Sequence, residues 1–227
     1  MTSSVECVAL VPAGGQGQRL GLGAKAFLEL GGRTLLEIVT QRLHPHVSRI
    51  VVGVPAEDAG RARRLLPASV EIISGGATRQ STVGRLVEVT TEPMILIHDV
   101  TRPFASGALI GRVLESATEH GAAASMVHPP IPLGRITQGC VVQSLDRNEV
   151  MLPQSPQAFR RDILEQALQN GRRLGWERQT TWQLVEMDGM PIAVVEGEET
   201  NIKITTAMDW DVARLVVWPL LGHEPGS

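Results

Sequence analysis

The chain of 227 residues is long enough for one large domain that buries a proper hydrophobic core. Its hydrophobic fraction of 43% is typical of a water-soluble globule, and its net charge of −3 argues against nucleic-acid binding. The first residues lack the basic start and cleavage site of a signal peptide, and no apolar run is long enough to cross a bilayer. We therefore expect a cytoplasmic protein without membrane contacts. Cys7 and Cys140 lie far apart and predict neither a disulfide framework nor a zinc site.

Short apolar, β-branched runs alternate with helical patterns through the first 130 residues. Such alternation predicts an α/β fold, in which helices cover both faces of a mostly parallel sheet. The predicted strands are Cys7–Val11, Arg49–Val54, Glu71–Ile73, Met94–His98 and Ala122–Val127. The predicted helices between them are Thr34–His44, Ala56–Leu66, Arg79–Val89 and Ser106–His120. In such a sheet, ligands bind beyond the carboxyl ends of the strands.

Residues 130–155 interrupt this alternation. Prolines at 129, 130 and 132 precede short stretches at 135–142 and 150–152, which predict a projecting hairpin arm that needs a partner. Beyond the arm, the pattern predicts helices over 156–170 and 181–187, a strand over 192–196 and a terminal helix over 207–215. We therefore expect a single domain over residues 1–221 and a disordered tail over 222–227.

A glycine-rich turn follows the first predicted strand. The sequence Val-Pro-Ala-Gly-Gly-Gln-Gly-Gln-Arg-Leu places glycines at 14, 15 and 17, with Arg19 and Lys25 close behind. Glycines let the backbone approach a ligand, so consecutive N–H groups can point at phosphate oxygens while the two cations neutralise their charge. The spacing matches neither the G-x-G-x-x-G turn of dinucleotide-binding folds nor the G-x-x-x-x-G-K-[ST] P-loop. We favour a polyphosphate site; the alternative is a turn that binds nothing.

Two further polar clusters follow strands at the same predicted edge of the sheet. The turn Gly75-Gly76-Ala-Thr-Arg79, with Thr82, offers backbone N–H groups and hydroxyls. Asp99 follows the next strand and is the best-placed carboxylate for Mg²⁺, which prefers one or two carboxylates plus substrate phosphates. The alternative for Asp99 is that it caps the next helix. Arg102, three residues on, either holds a substrate phosphate or tethers its loop.

Lys203 is an isolated cation in a stretch that reads as an apolar strand, Asn201–Thr205. A lysine in such a place is costly unless an anion meets it, so we expect it to reach the phosphates of the substrate. The alternative is an edge strand from which the side chain extends to water.

Together these motifs resemble the family of 2-C-methyl-D-erythritol 4-phosphate cytidylyltransferases, which belong to the nucleotidyltransferases that activate sugars and polyols. The resemblance covers about Val8–Leu215, and the matching pieces are Pro12–Arg19 with Lys25, Gly75–Arg79 with Thr82, His98–Pro103, Asp146–Asn148, Ser155–Gln157 with Arg161, and Glu196–Gly197 leading to Asn201–Lys203. It implies a Rossmann-like, three-layer α/β nucleotidyltransferase fold with a projecting β-arm. It also implies Mg²⁺-dependent transfer of the cytidylyl group from CTP to 2-C-methyl-D-erythritol 4-phosphate, which gives the CDP-polyol and pyrophosphate in isoprenoid precursor synthesis. The implied enzyme is a homodimer formed through the arm.

The resemblance also implies roles for individual residues. Arg19, Lys25 and Lys203 would be catalytic cations around the triphosphate and the pentacoordinate α-phosphorus, and Asp99 would hold Mg²⁺. The implied substrate-binding residues are Ala13, Gly14, Gly15 and Gly17 for the triphosphate, Gly76, Ala77 and Thr82 for cytosine, and Arg102, Ser144 and Arg161 for the polyol phosphate. Of these, Ser144 and Arg161 would come from the second subunit through a swapped arm.

Two segments depart from the family pattern. The family usually has a P-V-x-D-T pattern after the fifth strand and a T-D-[DE]-[AC] box before the penultimate helix. Here those places hold Pro130-Ile-Pro-Leu-Gly-Arg135 and Gln179-Thr-Thr-Trp182, so carboxylates are missing from both. We expect this loss to affect the second substrate and to leave the donor site intact. Two consequences stay open: a different polyol phosphate or a phosphonate as acceptor, or a catalytically weak nucleotide-binding protein derived from the enzyme.

Overall fold

The computed structural model describes residues 6–17 and 21–221. The strands are β1 (Cys7–Pro12), β2 (Glu29–Leu30), β3 (Arg33–Thr34), β4 (Arg49–Val54), β5 (Val70–Ser74), β6 (Met94–Ile97), β7 (Ala122–Val127), β8 (Leu133–Thr137), β9 (Cys140–Leu145), β10 (Leu152–Arg160) and β11 (Ala193–Glu196). The helices are α1 (Leu35–Leu43), α2 (Ala59–Leu65), α3 (Arg79–Glu88), α4 (Gly107–His120), α5 (Arg161–Leu174), α6 (Thr181–Met187), α7 (Ala207–Val212) and α8 (Trp218–Leu221). A π-helical turn, Ala213–Val217, joins α7 to α8.

Seven of these strands form one sheet, in the order β11-β7-β10-β6-β1-β4-β5. All neighbours pair in parallel except at β10, which runs antiparallel to both β6 and β7. Strands β8 and β9 form a separate hairpin, and β2 and β3 form a second short one. The predicted α/β fold with a mostly parallel sheet is therefore confirmed.

Apolar side chains on both faces of the sheet explain the three layers. In β1, Ala9 and Val11 belong to a core cluster shared with α1, α2 and α4, while Val8 and Leu10 belong to a second cluster shared with α3, α5 and α6. Because successive side chains of a strand point to opposite faces, an unbroken apolar run buries both faces at once. Truncating Leu10, which is fully buried, should cost about 2–5 kcal/mol.

The structure corrects the prediction for residues 156–170. Their helix begins only at Arg161, because the preceding residues complete the central strand β10. This strand buries Gln154, Ser155 and Gln157, whose side chains form hydrogen bonds within the protein. The pairing of β10 with β7 shifts register between Pro153 and Gln157. A strand made of buried amides and prolines lacks the apolar alternation by which strands are recognised.

Two smaller predictions also need correction. The arm, predicted from the stretches 135–142 and 150–152, is the β8–β9 hairpin. Its turn lies within 135–142, and Leu152 begins β10 instead. Gln138 and Gly139 both have positive φ angles, 51° and 80°, which is the two-residue turn that matches the twist of a hairpin. Residues 201–205 are irregular and not a strand, although Ile204 N still donates to Thr101 O at 2.9 Å. The predicted tail at 222–227 lies outside the described residues.

Among residues 6–17 and 21–221, no helix has the length and apolar character needed to cross a membrane.

Candidate active site

A cleft of about 260 Å³ opens beyond the carboxyl ends of β1, β5 and β6. It is lined by Pro12, Gly14, Gly15, Lys25, Gly76, Ala77, Thr78, Arg79, Thr82, Asp99, Val100, Thr101, Lys203 and Thr205. The three predicted polar clusters therefore do share one edge of the sheet. Three cations and one carboxylate give this lining a net charge of +2, in a chain whose net charge is −3. Such a local positive site suits a polyanionic ligand.

The glycines after β1 have different roles. A Cβ atom at Gly14 or Gly15 would meet no described protein atom within 4 Å, so their backbone faces open cleft. Gly17 has a positive φ of 65°, and a Cβ there would collide with the carbonyl oxygen of Gly23. Ala13 lies in the core, and its N–H donates to Gly53 O at 2.7 Å. Of the four residues expected to bind the triphosphate, two therefore line the cleft.

Arg19 lies outside the described residues, so its placement stays a prediction.

The turn before α3 forms another wall of the cleft. Thr78 caps the helix by accepting a hydrogen bond from Ser81 N at 3.1 Å. Thr82 accepts from Gly76 N at 3.0 Å and donates to Thr78 O at 2.9 Å, so its hydroxyl holds the turn together. Gly76 and Ala77 line the cleft as expected for a base-binding turn. Since the first N–H groups of a helix have no partner within the helix, this wall also favours anions.

Asp99 is the centre of the charged cluster. Arg79 donates to Oδ1 through Nε at 3.0 Å and through Nη2 at 2.9 Å, and Lys203 Nζ donates to Oδ2 at 2.8 Å. Asp99 does not cap the next helix, because Ser106 caps α4. Lys203 does not simply extend to water, although 45% of its side chain is exposed. Asp99 and Lys203 therefore meet at the cleft, while their roles towards Mg²⁺ and the substrate phosphates stay predictions.

The two cations keep Asp99 ionised. Burial alone raises the pKa of a carboxyl group, but the guanidinium of Arg79 and the ammonium of Lys203 outweigh burial here. Their charges and hydrogen bonds hold the pKa of Asp99 well below its usual range. A carboxylate is thus available in the cleft at any physiological pH.

Lys25 also lines the cleft. Its ammonium donates to Ile204 O at 3.1 Å and to Thr205 O at 3.3 Å, and only 9% of the residue is exposed. These bonds hold the irregular segment 201–205, and with it Lys203, against the glycine turn. The position of one cleft cation therefore depends on the other.

Lys25 and Lys203 are the two lysines of the whole chain, whose other permanently cationic side chains are arginines. Both line the cleft. A count of lysines in the sequence alone would have pointed to this pair. The turn motif alone assigns no role to Arg79, because its contact with Asp99 spans 20 residues of sequence.

Arg102 does not line the cleft. Its guanidinium is buried, and it donates to Asn201 O and, at 3.2 Å, to Pro153 O. Burial lowers the pKa of the neighbouring His98 to about 4, so the imidazole is neutral and its Nε2 donates to Arg102 O at 2.8 Å. Of the two interpretations of Arg102, the structure supports the tether.

The structure also separates Arg161 from the cleft. Because β10 runs antiparallel to β6, its end lies at the opposite edge of the sheet. There Arg161 donates to Glu92 O at 2.8 Å, to Thr90 Oγ1 at 2.9 Å and to Glu165 Oε1 at 2.8 Å. Arg161 is therefore a structural residue at the start of α5 and not part of the arm. Ser144 does lie on the arm, where it is exposed on β9.

The altered segment 179–182 is closer to the donor site than expected. Thr181 Oγ1 accepts a hydrogen bond from Arg79 Nη1 at 3.1 Å, and Arg79 in turn holds Asp99. This segment therefore contacts a residue of the cleft lining, and the expectation that the missing carboxylates concern the second substrate stays a prediction. The other altered segment, residues 130–135, leads into the arm.

The described residues include no group of three or more His, Cys, Asp or Glu side chains arranged to hold a metal ion. Within the same part of the chain, Asp99 is the single carboxylate in the cleft lining. This donor set fits Mg²⁺, which binds one or two carboxylates together with substrate phosphates, and it does not fit a metal caged by protein alone.

Comparison with known proteins points to one family. Residues 7–218 match the family described as 2-C-methyl-D-erythritol 4-phosphate cytidylyltransferase (IspD). A relative of that name from Thermus thermophilus is 38% identical over 216 residues, which cover 94% of this chain and 99% of the relative. Another of that name from Deinococcus radiodurans is 36% identical over 228 residues, covering 100% of this chain and 94% of the relative.

Solved structures agree with this similarity. The crystal structure of 2-C-methyl-D-erythritol 4-phosphate cytidylyltransferase from Thermus thermophilus superposes with a TM-score of 0.81 at 36% identity, covering 93% of this chain and 98% of that one. The structure of 4-diphosphocytidyl-2C-methyl-D-erythritol synthase from Anaerococcus prevotii superposes with a TM-score of 0.85 at 23% identity, covering 93% and 96%. The second likeness concerns the fold alone.

Proposed function

The chain belongs to the 2-C-methyl-D-erythritol 4-phosphate cytidylyltransferase (IspD) family, and on that premise we propose that it transfers the cytidylyl group of CTP to 2-C-methyl-D-erythritol 4-phosphate. Pyrophosphate is the second product, and the CDP-polyol serves isoprenoid precursor synthesis. The observation that carries this proposal is the cationic cleft around Asp99, whose lining suits a triphosphate. The family supplies the identity of the base and of the acceptor.

In this proposal the triphosphate lies along the glycine turn. Gly14 and Gly15 offer open backbone, Lys25 and Lys203 supply positive charge, and the capped start of α3 supplies N–H groups. The family pattern adds Arg19 to these cations. The base lies against Gly76 and Ala77, where a slot bounded by backbone suits a small pyrimidine.

The reaction is an in-line displacement at the α-phosphorus. A phosphate oxygen of the acceptor forms the new P–O bond while the bond to the bridging α–β oxygen breaks, and that electron pair leaves with pyrophosphate. The nucleophile is already an ionised phosphate oxygen, so no strong base is needed. Catalysis then consists mostly of positioning and of charge stabilisation, which the ammonium groups of Lys25 and Lys203 provide.

We further propose that Mg²⁺ binds together with the nucleotide, held by one oxygen of Asp99 and by phosphate oxygens. When bound, the ion neutralises phosphate charge and orients the triphosphate for displacement. Asp99 is suited to this because the surrounding cations keep it ionised and fix its direction.

We propose that the arm forms a homodimer. Its apolar side chains at Ile136, Val141 and Val142, and Ile131 just before it, are 56–71% exposed, which is costly unless another chain covers them. In such a dimer Ser144 would reach the partner's cleft and meet the polyol phosphate. Arg102 and Arg161 have no part in this proposal, since both guanidinium groups are engaged inside the protein.

The test is a pyrophosphate-release assay with purified protein, Mg²⁺, CTP and 2-C-methyl-D-erythritol 4-phosphate. We expect release that needs both substrates, and a fall of about 10²–10³ in kcat for Asp99→Asn, which keeps the shape of the side chain but removes its charge. Release with another polyol phosphate or a phosphonate, but not with this acceptor, would keep the donor half of the proposal and overturn the acceptor.

A further inference from the structure

Arg79 holds Asp99 more firmly than Lys203 does. Two nitrogens of Arg79, Nε and Nη2, donate to the same oxygen, Oδ1, at 3.0 and 2.9 Å. A third nitrogen, Nη1, is fixed by Thr181 Oγ1 at 3.1 Å. Lys203 makes one bond to Oδ2, and its side chain is 45% exposed, compared with 24% for Arg79. Lys203 can therefore turn towards a phosphate, whereas Arg79 is fixed at three points.

This arrangement matters for any cation that approaches Asp99. Both carboxylate oxygens already accept hydrogen bonds from positively charged groups. A divalent ion that uses Oδ1 must weaken the Arg79 contact, and one that uses Oδ2 must displace Lys203.

Thr181 influences how strongly Arg79 competes with a metal ion for Asp99. Its hydroxyl is neutral, so the carboxylate that Arg79 meets in the described part of the chain is that of Asp99. An acid at position 181 would share the guanidinium with Asp99, because Thr181 already contacts Arg79 Nη1. A bidentate carboxylate is a stronger partner for arginine than a hydroxyl is.

We propose that Arg79 is a positioning residue that occupies Asp99 Oδ1 until the nucleotide and its metal bind, and that residue 181 sets how tightly it does so. This inference rests on the proposed function, because it concerns the same carboxylate and the same nucleotide. It predicts that binding of Mg²⁺ and binding of CTP are coupled more weakly here than in a variant without Arg79.

The measurement is the Kd of CTP by calorimetry, once with Mg²⁺ and once with EDTA. The Kd in EDTA divided by the Kd in Mg²⁺ reports how much the metal strengthens nucleotide binding. We expect Arg79→Gln to raise this ratio about fivefold or more, since Oδ1 becomes available, while kcat falls about tenfold because Asp99 loses its orientation. A residue with a merely structural role would weaken both binding and turnover. Arg64→Gln, an exposed arginine on α2, is the matched control and should change neither.

Asp99→Asn distinguishes an effect through Asp99 from direct contact of Arg79 with phosphate. In the Asp99→Asn background, Arg79→Gln should leave the ratio unchanged, because the group on which Arg79 acts is gone. If Arg79→Gln changes the ratio equally in both backgrounds, Arg79 contacts the nucleotide itself and the inference is overturned. An unchanged or lowered ratio in the single variant would also overturn it.

Thr181→Asp is the second variant. We expect a raised ratio here too, because the new carboxylate draws Arg79 away from Asp99 while the charge of Arg79 is kept. A thermal melt checks that the variant is folded, and a lowered ratio in folded protein contradicts the inference. Wild-type protein that binds CTP with Mg²⁺ but releases no pyrophosphate would overturn the proposed function and leave this inference standing.

Discussion

The cleft and the arm differ in whether one chain supplies the contacts that their side chains need. In the cleft, Asp99 accepts hydrogen bonds from residues at α3 and at the irregular segment 201–205, and Lys25 donates to that same segment. In the arm, apolar side chains such as Ile136 and Val141 are 67% and 71% exposed. The charged groups are thus pre-organised by the fold, while the described part of the chain leaves the apolar hairpin uncovered. We expect the donor site to be complete in one chain and the arm to belong to an assembly.

The largest expected effect is at Lys25. Lys25→Met keeps the length of the side chain but removes the ammonium that lies in the cleft and binds Ile204 O and Thr205 O. We expect kcat for pyrophosphate release to fall about 10³-fold, because a charge aimed at the triphosphate is lost and Lys203 is less well placed. Full turnover in a folded Lys25→Met protein would contradict a pre-organised donor site.

The next effect concerns the arm. Ile136→Asp combined with Val141→Asp places charge on a surface that we expect a second subunit to cover. The dimer Kd should rise about thirtyfold or more, which corresponds to about 2 kcal/mol, when measured by analytical ultracentrifugation. Leu215→Asp is a matched control, since Leu215 is 64% exposed and lies near the C-terminal end of the described chain. CTP binding should stay unchanged in the arm variant, and its loss would mean that the donor site is not complete in one chain.

A smaller effect separates the glycines of the turn. Gly17→Ala forces a side chain into a positive φ and against Gly23 O, so we expect a loss of about 1–3 kcal/mol in the free energy of unfolding. Gly14→Ala should leave that free energy unchanged but weaken CTP binding, because its Cβ would occupy the open cleft. Chemical denaturation and calorimetry measure the two quantities. Equal destabilisation by both substitutions would contradict the distinction.

The smallest effect contrasts the two cysteines, one in the core and one on the arm. Burial raises the pKa of Cys7 from 9.0 to about 12, so at pH 10 the unfolded chain loses the thiol proton while the folded chain keeps it. Folded protein then binds more protons, and stability falls as pH rises above about 9, by about 1.4 kcal/mol at pH 10. Cys7→Ala should lack this component in denaturation curves at pH 8 and pH 10.

Alkylation gives an independent check of the same contrast. Iodoacetamide should modify Cys140, which is exposed on the arm, and leave the buried Cys7 intact until the protein unfolds. Equal labelling of the two thiols in native protein would contradict the burial of β1.

The sequence predicts the sheet edge well, because runs such as Val8–Val11 are apolar on both faces and each is followed by glycine or a polar turn. Parallel strands bring such turns together, which is why the Gly14 turn, the Gly76 turn and Asp99 meet as expected. Strand β10 escapes this reasoning, since its buried glutamines form tertiary hydrogen bonds that no local pattern contains.

The error at Arg161 follows from the missed strand. Once β10 is recognised as antiparallel, the chain must reach Arg161 at the far edge of the sheet, away from Asp99. The role of Arg79 was missed for a related reason. Its guanidinium meets Asp99 and Thr181 across 20 and 102 residues of sequence, and such contacts depend on how whole helices pack.

Chemical labelling of the two lysines tests the central claim, that this cleft holds the triphosphate donor. Reductive methylation followed by peptide mass spectrometry reports Lys25 and Lys203 separately from the amino terminus, because the chain has no other lysine. We expect Lys203 to react in the free protein and to be protected by CTP with Mg²⁺, about a hundredfold when CTP is present at about 100 times its Kd. CMP, which lacks the outer phosphates, should protect much less. Methylation of Lys203 at the same rate with and without saturating CTP would contradict the account.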